Sequence, residues 1–182
     1  METSLNFTIK KRLDGTLART GVIKTPHGEI KTPAFIVGGT KATVKTLTVD
    51  QVKALGGQSI LVNAYHLMLR PGSELIHKAG GVHRFMNYDG LMFSDSGGFQ
   101  VFSLGMAYKK GIDATSHSVK GDAAKAVNSS NQLTKVTDEG VLFKSYLDGS
   151  KLFITPESSM RHQHLIGADI HMCFDELTAP LA

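Results

Sequence analysis

The chain has 182 residues, 41% of them hydrophobic, with 20 Lys and Arg against 16 Asp and Glu, a formal net charge of +4 and a single cysteine. That is enough chain for one sizeable core, and a lone Cys173 excludes an intrachain disulfide or a multi-cysteine zinc site. No apolar run approaches the ~20 residues of a membrane span, and Met1 to Asn6 lacks the basic and apolar halves of a secretion signal, so a cytoplasmic location is expected.

Residues 5 to 37 alternate short β-prone runs, Phe7-Thr8-Ile9, Gly21-Val22-Ile23 and Ala34-Phe35-Ile36-Val37, with turn formers at Asp14-Gly15 and Pro26-His27-Gly28. This pattern predicts hairpins. Much of the basic excess gathers here, at Lys10, Lys11, Arg12, Arg19, Lys24 and Lys31, and is compatible with a polyanionic partner.

Thr48-Val49-Asp50-Gln51 fits a capping box and opens a helix that Gly56-Gly57 ends, before the strand Ile60-Leu61-Val62. The same helix-to-strand step recurs with a short helix at Glu74 to Ala79, broken off by Pro71-Gly72 before it and Gly80-Gly81 after it, and a strand at Leu91 to Ser94. Met106 to Asn131 is rich in Lys, Ala, Ser, Asp and Asn and almost without large apolar residues, and is expected to be an inserted surface loop. Lys135 to Asp148 and Lys151 to Ile154 read as a hairpin about an Asp148-Gly149 turn. In the third step Thr155-Pro156-Glu157 starts a helix, Gly167 ends it, and Asp169 to Asp175 forms a strand. Strands alternating with helices imply a parallel α/β sheet or barrel.

Ser94-Asp95-Ser96-Gly97-Gly98-Phe99-Gln100 puts a carboxylate at the end of a short apolar strand, followed by backbone flexible enough to wrap a ligand. Asp95 shares strand parity with Leu91 and Phe93, so its side chain follows an apolar face, where a carboxylate is costly unless used or paired. The alternative is a turn Asp bonded to the Ser96 and Gly97 amides. Asp175 closes the third strand in the same way, and two carboxylates at the same ends of parallel strands suit acid and base work or recognition of a donor-bearing ring edge. Asp175 or Glu176 can equally cap a following helix.

Asn63 ends its strand at the level of Asp95, where its amide can bond a ligand, orient an acid or hold local backbone. Tyr65 and His66 are read as packing residues. Phe99 can offer an aromatic face to a planar base or be core, and Gln100 a bond to a ribose or base edge or be surface. The eight histidines show no metal-ligand spacing, and Gly38-Gly39-Thr40-Lys41 lacks the spacing of a phosphate loop.

Ser94-Asp95-Ser96-Gly97-Gly98-Phe99-Gln100-Val101-Phe102-Ser103-Leu104-Gly105 resembles the signature of the tRNA-guanine transglycosylases, most closely the bacterial queuosine-forming branch. Asn63 to Gly72 is similar to a second signature of that family, and Gly167-Ala168-Asp169-Ile170 with Phe174-Asp175-Glu176 to a third. The resemblance implies a (β/α)8 TIM barrel with an N-terminal antiparallel sheet. It also implies an enzyme that replaces the anticodon wobble guanine of tRNA with a 7-deazaguanine queuosine precursor through a covalent enzyme-ribose intermediate. By this likeness Asp95 is the general acid and base, Ser96, Gly97, Gly98 and Phe99 line the base pocket with Phe99 stacking on the ring, Asp175 binds the guanine-like edge, and Asn63 and Gln100 are supporting contacts.

The family's nucleophilic aspartate and its structural zinc ligands lie further downstream, so the resemblance makes 1–182 the N-terminal part of one barrel domain, with no metal or cofactor expected within it. An incomplete barrel leaves an open edge, and the chain alone is expected to be inactive and the full-length protein a homodimer. Leu177 stands where bacterial members often carry Cys, and the 106–131 insertion departs from them too. The competing readings are a noncatalytic tRNA-binding paralogue and the archaeal-type branch, which exchanges a guanine outside the anticodon.

Overall fold

The computed structural model describes residues 5–100, 134–145 and 147–175. The inserted loop expected at 106–131 and Leu177 lie outside these residues.

Strands β1 (Asn6–Arg12), β2 (Arg19–Thr25) and β3 (Gly28–Thr32) form an antiparallel sheet in the order β1-β2-β3, turning where predicted, but the third strand is Gly28–Thr32 rather than the run Ala34 to Val37, of which only Val37 is a strand residue, and that in the parallel sheet. A register shift between Ile9 and Lys11 interrupts the first pairing. Four parallel strands form a second sheet: β4 (Val37–Gly38), β5 (Ser59–Asn63), β6 (Leu91–Asp95) and β10 (Ile170–His171), in the order β10-β6-β5-β4. The fold is thus mixed α/β around a parallel sheet, and the described strands do not close into a barrel. The third sheet is antiparallel, with β7 (Thr134–Thr137), β8 (Gly140–Lys144) and β9 (Lys151–Ile154) in sequence order. A turn at Asp138-Glu139 divides what the sequence suggested as a single long strand.

Helices lying wholly within the described residues connect these elements: α1 (Val49–Ala54), α2 (Ala64–Leu69), α3 (Ser73–Lys78), α4 (Gly81–Met86) and α5 (Pro156–Ile166). Reciprocal capping boxes start α1 at Thr48 with Gln51 and α5 at Thr155 with Ser158, each satisfying two backbone N–H groups that a helix start leaves open. Gly167, at φ 74°, ends α5 in the left-handed conformation that costs glycine least.

The parallel sheet is buried on both faces. Ile60, Val62 and Met92 pack on the helices through Val52, Leu67, Ile76, Val82, Met86 and Ile166. Leu91 and Phe93 point the other way and cluster with Ile30 of β3. Full burial of each such side chain contributes on the order of 1.5–3 kcal/mol. Beside the C-terminal ends of β5 and β6, Val141, Phe143 and Ile154 of the third sheet pack on Tyr65.

The strand expected over 169–175 is only Ile170–His171. Beyond it the Met172 N–H is shared between the Ser94 carbonyl (3.1 Å) and the Gln163 Oε1 (3.1 Å), while the Met172 carbonyl accepts from Gln163 Nε2 (2.9 Å). A side chain takes over from the ladder, and the segment turns toward the strand ends with Asp175.

Candidate active site

In-register parallel pairing sets the site. Leu61 lies opposite Phe93 and Asn63 opposite Asp95, so an amide and a carboxylate finish neighbouring strands on one face. Asp95 Oδ1 accepts from the Ala64 N–H at 2.9 Å, and Oδ2 accepts from the Asn63 Nδ2. Asn63 Oδ1 meanwhile accepts from the His66 N–H at 3.0 Å and caps α2. The two readings of Asn63, cap and partner of an acid, therefore hold together, because an amide has an oxygen for one task and a nitrogen for the other.

Burial pushes the Asp95 carboxyl up. The N–H groups of Ala64 and Gly97 pull against it, the charge of Asp175 adds to it, Asn63 opposes it, and the result is about 6. A carboxyl poised there holds and releases a proton near neutral pH, which is what a general acid and base needs.

Asp175 is brought to the same place by Ser96. The Ser96 hydroxyl donates to Asp175 Oδ1 at 2.7 Å and accepts from the Gly98 N–H at 3.1 Å. Gly98 has no room for a side chain, since a Cβ would lie 2.5 Å from Asp175 Oδ1. Gly97 sits at φ 85° with Tyr65 3.0 Å from where its Cβ would be, so both the backbone conformation and the space call for glycine.

Helix α5 holds this wall from behind. Ser159 donates to the Ser96 carbonyl at 2.8 Å. Gln163, fully buried, accepts from the Ser94 hydroxyl at 2.7 Å as well as bracing Met172. Neither residue was singled out from the sequence, although Ser159, Gln163 and Ile166 share one helical face at spacings of four and three, and all three are buried.

The structure thus gathers Asn63, Asp95, Ser96, Gly97, Gly98 and Asp175. Residues 98–100 begin a helical turn on which Phe99 is 56% exposed and Gln100 half-buried. The Phe99 ring stands exposed at the rim and does not fill a core.

The family model described as Queuine tRNA-ribosyltransferase matches residues 14–129 and 121–182, two stretches that overlap at 121–129, within the segment expected as an insertion. The chain belongs to this family. Among curated relatives, the Queuine tRNA-ribosyltransferase of Pelotomaculum thermopropionicum is 47% identical over 173 residues, covering 95% of this chain and 40% of the relative. The protein of that name from Desulforamulus reducens is 48% identical over 172 residues, covering 94% and 40%. That of Shouchella clausii is 47% identical over 176 residues, covering 97% and 39%. The chain spans about 40% of the length of the curated relatives it matches.

Proposed function

We propose that the chain supplies the N-terminal part of a tRNA-guanine transglycosylase barrel, exchanging the wobble guanine of a tRNA anticodon for a 7-deazaguanine. The observation that carries this reading is the placement of Asp95, of raised pKa, beside Ser96, whose hydroxyl holds Asp175, at one end of a parallel sheet.

In the exchange, a carboxylate supplied by the rest of the barrel bonds to the ribose anomeric carbon as the bond from that carbon to guanine breaks. Asp95 gives its proton to the departing base and, once ionised, takes one from the incoming base as that base displaces the carboxylate. Asp175 has one oxygen engaged by Ser96 and presents the other to the ring N–H and amino group of a guanine-like edge. Phe99 covers the ring face, and Asn63 holds Asp95 at its station.

The same reading makes tRNA the macromolecular partner, the cytoplasm the compartment and a homodimer the assembly of the completed protein. It places 106–131 as an insertion in a single domain and the family's zinc in the downstream part. No helix among the described residues is long and apolar enough to cross a membrane. The test is guanine exchange into tRNA by the chain fused to the remaining segment of a curated relative, beside residues 1–182 alone. Exchange by the fusion and none by the chain is expected. Exchange by the chain alone refutes the need for a second part, and a fusion that binds tRNA without exchange favours the noncatalytic paralogue.

A further inference from the structure

At the opposite ends of the parallel strands from Asp95, three segments far apart in sequence meet. His27 lies in the turn between β2 and β3, His83 on α4, and Asp169 just before β10. His27 Nδ1 is 2.6 Å from Asp169 Oδ1 and His83 Nε2 is 3.1 Å from Asp169 Oδ2. The two imidazoles stack, with centroids 3.6 Å apart and planes inclined by 15°, so both present a nitrogen edge to one carboxylate. The Asp169 side chain is 1% exposed, that of His83 11%, and that of His27 42%, which leaves a path from solvent on the His27 side.

We propose that His27, His83 and Asp169 form a binding site for a divalent first-row transition ion such as Zn2+, Co2+ or Ni2+. Two imidazoles and one carboxylate are a donor set that suits these ions and not Mg2+ or Ca2+, which take oxygen. The three ligand atoms lie within 4.8 Å of one another. Around an ion with bonds of about 2.0–2.2 Å, neighbouring ligand atoms stand roughly 3.3 Å apart, so closing the set takes a movement on the order of 1 Å. His27, on an exposed turn, is the member able to make it. The carboxylate is already oriented, because Asp169 Oδ2 also accepts the Met92 N–H at 2.9 Å, the kind of outer contact that fixes a ligating carboxylate.

Facing a carboxylate, each ring nitrogen is an N–H donor. The same nitrogens bind the ion once each ring carries its proton on its other nitrogen. The ion then links the antiparallel sheet to α4 and to the base of β10, the strand that leads to Asp175, while water fills the remaining positions on the His27 side. The site is separate from any zinc held by a downstream segment and does not depend on the exchange reading.

The test is titration of the purified 182-residue chain with Co2+ and Zn2+, followed by visible absorption for Co2+ and by calorimetry for both, with Mg2+ as control. One ion per chain, visible bands characteristic of low-coordinate Co2+, and a Tm raised by Zn2+ are expected. His27→Gln, on an exposed turn, gives up the imidazole that faces Asp169 and stacks on His83 and weakens binding by at least about tenfold, and so does His83→Ala. Circular dichroism of both variants checks their fold, and His27→Gln alone suffices if His83→Ala does not fold. An absent Co2+ spectrum, or an affinity and Tm response unchanged in His27→Gln, overturns the assignment and leaves the trio a hydrogen-bonded brace.

Discussion

Replacing Asp95 by Asn removes a group whose pKa rises from its ordinary 3.8 to about 6 on folding. Burial is the principal cause, opposed by the Ala64 and Gly97 N–H groups, reinforced by Asp175 and opposed again by Asn63. The folded chain therefore holds this proton more tightly than the unfolded one. Below pH 3.8 both states are neutral here and nothing is lost. As pH rises through the window from 3.8 to about 6, ionising the buried carboxyl costs stability, and above it the loss is complete. At about 1.36 kcal/mol per pH unit, a difference of about 2 units corresponds to roughly 3 kcal/mol. The Asp95→Asn chain does not ionise, but its amide offers one acceptor oxygen where the carboxylate offers two, so one of the donors from Ala64 or Asn63 goes unmet at about 1–3 kcal/mol, independent of pH. Relative to the native chain, the variant should be less stable near pH 4 and should gain roughly 3 kcal/mol by about pH 7.5. Urea unfolding followed by circular dichroism across that range measures the difference. Two stability curves that run parallel with pH would refute a raised Asp95 pKa.

Asp175→Asn should lower the Asp95 pKa below about 6, because the charge of Asp175 is one of the causes that raises it; an NMR titration of the Asp95 carboxyl carbon that stays put would contradict their closeness. Gln163→Leu leaves the Ser94 hydroxyl and the Met172 carbonyl without their partner, while the Met172 N–H keeps the Ser94 carbonyl, and should cost about 2–4 kcal/mol in urea unfolding, whereas a loss below about 0.5 kcal/mol would mean that Gln163 is no brace. Thr155→Ala removes one half of the α5 capping box and should cost about 1 kcal/mol by the same assay.

The capping box at Thr48 was readable because an N-cap is a local contract between residues three apart, and the start of α5 after Thr155 was readable from the proline at its first position. The parity of Leu91, Phe93 and Asp95 was readable because strands alternate. Helices α2 and α4 were not. Asn63 both ends β5 and caps α2 with no intervening turn, and Gly80-Gly81, which stops α3 as read, also starts α4, Gly80 serving as its N-cap in the left-handed conformation. The length of β10 was misjudged because a tertiary contact, the Gln163 carboxamide, competes for Met172, and no local pattern reports that. In the site, Asn63, Asp95 and Asp175 were found as strand-end polar residues, while Ser159 and Gln163 were hidden by being buried polar residues on a helix face. His27 and Asp169 stand 142 residues apart in sequence, so their meeting is a property of the fold alone.

In the proposed exchange, Asp95 moves protons on the exchanged base. The most direct test of this role is guanine exchange into tRNA by the chain completed with a relative's downstream segment, comparing native Asp95 with Asp95→Asn. A loss of about 10²–10⁴-fold is expected, the usual contribution of a positioned acid and base, with tRNA binding retained. Undiminished exchange by the variant would contradict it.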